Sequence, residues 1–478
     1  MKREFVINIM LLFIINLMIK PLYIFGVEAR IQDLTGANEY GLYFFYFNFI
    51  FLFQFINDPG IQNWNAQYLP KNRHDASIHI SKLLQSKLLL GIVFLAVIGI
   101  VSMVAGYADF YLVIMIGVSF ILSSLFMLLR TCISGMGYYK TDTALSSIDK
   151  VLMLLILGYL AWFSEYRFDF HISLLIIGQI IAYTVSCLIA FIIIFYRVSP
   201  TFELLKFNQI GTVIRSGAPF LLIMVLMTAY NKIDGVLLGS LLDDNNYQVG
   251  VYAAAYRFYD AANMTGYLFA ALLLPMYASH IDNHNTIQEL LQSGLKLSIS
   301  VASVVIGIVM VFGENLLQLL YSDYQPDYLW TLRILIISYF MISVGYIYGT
   351  LILSTGNVKK LNVVFIVGLV LQIILCLLFI PYLRSVGAAI ATLTTQIIVM
   401  IGQIYLVKKE FAIRIDSKEF YHCVYFGISS LVVLWLMSLN HYVEWYINLF
   451  FSILICVLLS FSFKILDYKD IVSYLAKK

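Results

Sequence analysis

Three cations lie where a lipid-embedded chain tolerates them least. Lys20, Lys232 and Arg257 each fall inside a long apolar stretch. A charge near the bilayer centre costs about 2.5–3.5 kcal/mol on insertion scales, so such a residue faces a cavity, a partner or a ligand. Lys20, Lys232 and Arg257 stand roughly seven to eight residues from the same end of their stretches, which at 1.5 Å per residue sets them about 10–12 Å below one surface. Three cations at one depth, one from the first stretch and two from the seventh and eighth, drawn from both halves, make an anion-attracting patch if they line a common cavity. Snorkelling is the competing reading, because a Lys stem reaches headgroups from this depth without any cavity.

Carboxylates accompany them. Asp260 follows Arg257 by three positions and shares its helix face, which reads as a local neutralising pair, a releasable latch or a proton-coupling acid. Asp234 stands two residues from Lys232, so the two point to different faces, and Asp234 reads as an interhelical partner. Asp58 opens the turn signal Asp58-Pro59-Gly60. It reads as a cap, or as a gate acting with the basic segment from Lys71 to Lys87.

The elements that position these groups are membrane helices. The composition is 61% hydrophobic and 12% charged. Apolar stretches long enough to span about 30 Å of hydrocarbon recur near 5–27, 38–58, 84–106, 109–130, 143–163, 172–196, 215–240, 250–278, 295–313, 328–353, 359–380, 385–407, 420–439 and 446–464. Each is continuously apolar rather than alternating, which predicts an all-α polytopic bundle of about 14 transmembrane helices and excludes a barrel. The first stretch is too long for a cleaved signal peptide and lacks a small-residue cleavage site. With the N-terminus in the cytoplasm, most of the 30 Lys and Arg fall on the cytoplasmic side. Only Arg30, Arg167, Arg333 and Arg384 fall outside, a positive-inside asymmetry that places both termini in the cytoplasm.

Two halves resemble each other. Gly41-Leu42-Tyr43 opens the second stretch and Gly250-Val251-Tyr252 the eighth; Gly137 and Lys140 close the fourth, Gly356 and Lys359 the tenth. Six helices return a chain to the same side, so the halves are expected to be parallel repeats about an axis along the membrane normal. The expected division is a six-helix lobe over 1–200, a second over 201–410 and two added helices over 411–478.

Chemistry of the catalytic kind has no visible carrier. The chain shows no H-E-x-x-H, G-x-S-x-G or Walker pattern. His280, Asp282 and His284 sit in a polar loop and read as solvated. The five cysteines fall in or beside spans without a C-x-x-C pair. No catalytic residue, metal or cofactor is assigned, and nothing points to nucleic acid.

The blocks "GLYFFYFNFIFLFQFINDPGIQNWNAQYLP", "SGAPFLLIMVLMTAYNKIDGVLLGSLLDDNNYQVGVYAAAYRF" and "STGNVKKLNVVFIVGLVLQIILCLLFIPYLRSVGAAIATLTTQ" resemble, in order and spacing, the polysaccharide exporter branch of the multidrug/oligosaccharidyl-lipid/polysaccharide superfamily. The likeness is to its O-antigen or capsule repeat-unit flippases. It implies translocation of an undecaprenyl-diphosphate-linked oligosaccharide to the outer leaflet of the bacterial inner membrane by alternating access. A polysaccharide polymerase and a chain-length regulator are the partners it implies. Lys20, Lys232 and Arg257 would then hold the diphosphate, which Arg grips bidentately and Lys as a point charge. A multidrug exporter of the same superfamily needs acidic or aromatic cavity residues to bind organic cations, whereas the first helix here carries Lys20. A membrane glycan polymerase or glycosyltransferase needs a long outer loop, and the outer loops here are short. The orientation is tested by substituting cysteine at Asn245 and at Lys478. A membrane-impermeant thiol reagent added outside should label the first and not the second, and the reverse pattern overturns the topology.

Overall fold

A computed structural model describes residues 18–107, 109–198, 207–244, 246–356, 358–411, 417–440, 442–463 and 465. Asn245, Lys478 and most of the first predicted stretch lie outside the described residues. Those described are helical and carry no strand. This follows from the solvent: hydrocarbon offers no hydrogen-bond partner, and an α-helix satisfies its backbone internally. Ten helices among the described residues are long and apolar enough to cross a membrane.

The chain divides into two compact units, Met1–Gly250 and Val251–Lys478. In the first, residues 18–23 are helical and run into a π-helical turn, Ile24–Glu28. There the indole Nε1 of Trp162 donates to the Gly26 carbonyl at 2.7 Å. Helix α1 (Ala29–Leu52) follows and breaks at Gly36, whose φ of 78° is open to glycine and strained for other residues. The first predicted stretch therefore continues past residue 27 as helix, and its turn comes nine residues later than its apolar run suggests.

Two short helices come next, α2 (Gln54–Asn57) and α3 (Ile61–Tyr68). The latter occupies part of what reads in sequence as a loop over 59–83. Then come α4 (Ala76–Val104), α5 (Phe110–Gly135), α6 (Tyr139–Leu145), α7 (Ile148–Trp162), α8 (Ile172–Val198) and α9 (Phe207–Leu241). A buried apolar cluster joins α3, α4, α5 and α8 through Ile61, Leu84, Phe126, Leu129 and Ile194.

Small residues let these helices touch. A Cβ at Gly41 would collide with the Asn246 carbonyl oxygen, and one at Gly250 with that of Ala37. The Gln32 side-chain amide also donates to the Gly250 carbonyl at 2.8 Å. The two Gly-x-Tyr motifs of the internal repeat thus meet backbone to backbone at their glycines. Gly239 likewise lies against the Phe45 ring. Without a hydrophobic drive between helices in lipid, such close approach is what holds them. It also explains why the segment from Phe207 to Gly250, assigned by the repeat to a lobe beginning at 201, groups with the first unit instead.

The second unit holds most of α10 (Tyr247–Ser279), α11 (His284–Leu320), α12 (Pro326–Ser354), α13 (Val358–Phe411), α14 (Ser417–Ser438) and α15 (Trp445–Ser462). Helix α13 contains both predicted stretches 359–380 and 385–407. Its break falls after Pro381 at Arg384, with φ 52° and ψ −129°. Helix α14 packs on α11 and α15, so the two added helices are part of this unit.

Gly250→Val drives a side chain into the Ala37 backbone and should cost about 1–3 kcal/mol or more. Gly211→Val, where nothing lies within 4 Å, should be neutral. Thermal unfolding of the purified variants in detergent checks this, and equal midpoints would refute the glycine contact.

Candidate functional site

The six residues singled out by sequence fall into different settings. Lys20 is half-buried in the first helical turns, one residue before Pro21. Lys232, on α9, is half-buried with its Nζ 5.6 Å from the centre of the Phe51 ring, a cation–π distance. Asp234 is buried, and its Oδ1 accepts from the Gly235 backbone at 2.7 Å.

Arg257, on α10 in the second unit, is 5% exposed. Its Nη1 donates to the hydroxyl of Tyr321, and its guanidinium carbon lies 5.9 Å from the centre of that ring. Tyr321 packs on Tyr328, which donates to the Asp323 carboxylate at 3.2 Å. Asp260, one turn along α10, is exposed. Arg257 is therefore built into a tyrosine cluster rather than hanging at a headgroup, which disfavours simple snorkelling for this residue. Further along α10, Asn263 donates to the Tyr346 hydroxyl at 3.3 Å, and Thr265 bonds that of Tyr339 at 2.7 Å.

Asp58 caps a helix. Its Oδ1 accepts from the Ile61 backbone at 2.8 Å and from Gln62 at 3.4 Å, meeting two of the donors that a helix start leaves open. Gly60, with φ 85°, supplies the left-handed step of the turn. Beside this cap lies a residue that sequence reasoning missed. Lys87 is 1% exposed, and its Nζ donates to the Asn57 carbonyl at 2.7 Å and to Ser124 Oγ at 2.5 Å. The Asp58 carboxylate acts on it electrostatically. Lys87, the end of the basic segment, is thus drawn inside the first unit close to the Asp58 cap. Gln62 ties into it, donating to the Ser124 carbonyl and hydroxyl at 3.2 Å.

Lys150 is the second missed cation. Its Nζ lies 4.7 Å from the centre of the Tyr23 ring, with Glu28, Asp149 and the Tyr183 hydroxyl close enough to act on it. Nearby, Gln179 donates to the Tyr43 hydroxyl at 3.1 Å. The signal for both lysines was in the sequence: they fall inside the predicted stretches 84–106 and 143–163, yet a count by side assigns them to the cytoplasmic surface. Among the described residues no group of three His, Cys, Asp or Glu side chains is placed to hold a metal ion.

Within each unit the arrangement is that of a polar interior held by aromatic rings, hydroxyls and amides, with Lys87, Asp58 and Asp234 buried in the first unit and Arg257 in the second.

A family described as polysaccharide biosynthesis protein matches residues 5–281. The fold is similar to that of the lipid II flippase MurJ in an inward closed conformation, at 15% identity and a TM-score of 0.74, covering 94% of this chain and 97% of that one. It is also similar to an inward-facing multidrug resistance transporter of the MATE family, at 14% identity and a TM-score of 0.68, over 82% of this chain and 94% of that one. A further match is a superfamily transporter from Pyrococcus furiosus whose binding pocket is described as reversed in polarity, at 15% identity and a TM-score of 0.60, over 85% and 94%. No curated protein matches the chain significantly.

The Asp58–Lys87 joint gives a graded test. Lys87→Met removes a buried cation and should cost about 3–5 kcal/mol. Asp58→Asn keeps an oxygen to cap α3 and should cost less than Asp58→Ala, which loses cap and charge together, the cap alone being worth about 1 kcal/mol. Thermal midpoints of the purified proteins read the order, and a Lys87→Met protein as stable as the parent would show that the joint is not structural.

Proposed function

The chain belongs to the polysaccharide biosynthesis protein family, and we propose that it flips undecaprenyl-diphosphate-linked oligosaccharide repeat units from the inner to the outer leaflet for O-antigen or capsule assembly. The observation that carries this reading is the family match over residues 5–281. A fold shared with a lipid II flippase along nearly the whole chain supports it. The protein works in the bacterial inner membrane with both termini in the cytoplasm, and hands its cargo to a polysaccharide polymerase acting with a chain-length regulator.

In this reading Lys20, Lys232 and Arg257 hold the diphosphate. Arg257 is the strongest of the three. It is buried, and the Tyr321 hydroxyl fixes one of its nitrogens, so the planar guanidinium is oriented in advance for phosphate oxygens. Lys232 adds a point charge whose aromatic neighbour, Phe51, does not neutralise it. Alternating access is the motion. The carboxylates divide by role. Asp58 is engaged as a cap and gates only by breaking that cap. Asp234 is buried and acts as a structural partner. Asp260 is exposed and remains the carboxylate open to proton coupling.

The multidrug alternative calls for acidic or aromatic cavity residues that welcome cations, and the Lys20 of the first helix argues against it. A polymerase or glycosyltransferase would be expected to carry a long outer loop with catalytic Arg, Asp or His, and the outer loops read from the sequence are short.

The test is surface polysaccharide in a strain lacking its flippase, normalised to membrane protein level. Lys232→Gln and Arg257→Ala should each lower it by about tenfold or more, because a desolvated charged contact is lost. Arg257→Lys should fall between Arg257→Ala and the parent, since charge remains but bidentate geometry does not. Near-normal polysaccharide from both neutral variants would overturn the diphosphate assignment.

A further inference from the structure

The second unit contains a cavity of about 210 Å³ that none of the roles above uses. It lies among α11, α12, the second half of α13 and α14. Its walls are hydrocarbon, from Leu295, Ile299, Phe340, Val344, Met400 and Ile404, with Lys296 and Gln292 on one side and Cys423 and Tyr348 completing the lining.

Three observations say what occupies it. First, the lining is almost wholly apolar, and apolar cavities of about 150 Å³ lined by Leu, Ile and Phe take hydrocarbon guests. Second, the residues next to the lining face outward. Ile401 and Tyr405 on α13, and Val424 and Ile428 on α14, are exposed apolar side chains. In a membrane-spanning chain that surface is covered by acyl chains, so the cavity is a recess in a lipid-facing wall. Third, the lining residues of the four helices sit at one end of their spans. Lys296 begins the predicted stretch 295–313, Tyr348 and Ile404 come close before the ends of 328–353 and 385–407, and Cys423 comes just after the start of 420–439. This is the basic end: Lys359, Lys360, Lys408 and Lys409 lie a few residues beyond it. By the positive-inside reading it meets the inner leaflet.

We propose that this recess binds an anionic diacyl phospholipid of the inner leaflet, with an acyl chain in the cavity and the phosphate at Lys296 and the basic rim. Basic pockets between membrane helices on the cytoplasmic side select anionic headgroups, each Lys or Arg near the surface adding about 1 kcal/mol. The site is separate from the proposed diphosphate residues, and it stands or falls without them. Its consequence is a protein whose second unit is braced by membrane composition, because the lipid bridges α11 to α14.

Cys423 reports on occupancy, since it lines the cavity and is otherwise buried. The full chain is purified in detergent, treated with N-ethylmaleimide, and the modification at Cys423 is followed by peptide mass spectrometry. Phosphatidylglycerol should slow the reaction about fivefold more than phosphatidylcholine. Lys296→Gln should erase that difference, and Lys296→Arg should keep it. Val344→Phe, which fills the recess, should slow the reaction with or without lipid. Equal protection by the two phospholipids would overturn the anionic site. So would protection by undecaprenyl diphosphate but not by phosphatidylglycerol, which would reassign the recess to the cargo's tail. Loss of flipping in cells has no bearing on this result, so its failure is distinguishable from failure of the flippase reading.

Discussion

A chain in hydrocarbon has no water to complete a broken backbone hydrogen bond, and each unsatisfied group costs several kcal/mol. An interruption of a helix must therefore be met by other polar groups. The break after Asn57 shows how. Asp58 turns its carboxylate onto the first donors of α3, Gly60 takes the left-handed step, and Lys87 takes the Asn57 carbonyl. A carboxylate and an ammonium are both brought inside, and each has a backbone group to serve. At the π-helical turn of the first helix, the Trp162 indole plays the corresponding part for the Gly26 carbonyl.

The same constraint governs how the helices associate. Lipid tails are as apolar as leucine, so packing rests on close contact and on polar pairs. The glycines at 41 and 250 bring the first turn of α10 against α1 at backbone distance, and those at 235 and 239 seat α9 on the Asn48, Phe44 and Phe45 side chains of α1. Amides and hydroxyls fill the remaining interior: Asn65 donates to Thr131 Oγ1 at 3.0 Å and meets His79 Nε2 at 3.0 Å, and in the second unit Gln372 donates to Thr392 Oγ1 at 3.1 Å. Such networks are rigid when satisfied, and they leave aromatic rings as the natural neighbours of the cations. Arg257 on Tyr321, Lys232 on Phe51 and Lys150 on Tyr23 follow one rule. A ring face stabilises a cation without neutralising it.

This is the physical link between fold and proposed transport. The fold is that of proteins named as a lipid flippase and as multidrug transporters, and it can serve either kind of cargo. In the proposed reading, cations set against aromatic rings, Arg257 on Tyr321 and Lys232 on Phe51, are the groups that meet the phosphate of the cargo.

The sequence by itself determined the helices and their approximate ends, since hydropathy over 20 residues is a local sum that tertiary contacts barely alter. It also marked Asp58-Pro59-Gly60 as a break and Gly41 and Gly250 as equivalent positions, because turn chemistry and glycine spacing are written locally. Tertiary structure alone decided the rest. That the two glycine motifs meet at their glycines, and that Phe207–Gly250 joins the first unit, depends on which helices approach. That Lys87 and Lys150 turn inward rather than toward the cytoplasm depends on helix rotation and on the neighbours waiting there, Asn57 with Ser124 and Tyr23. A lysine stem reaches either way from the end of a helix, and only the packed partner fixes which way it goes.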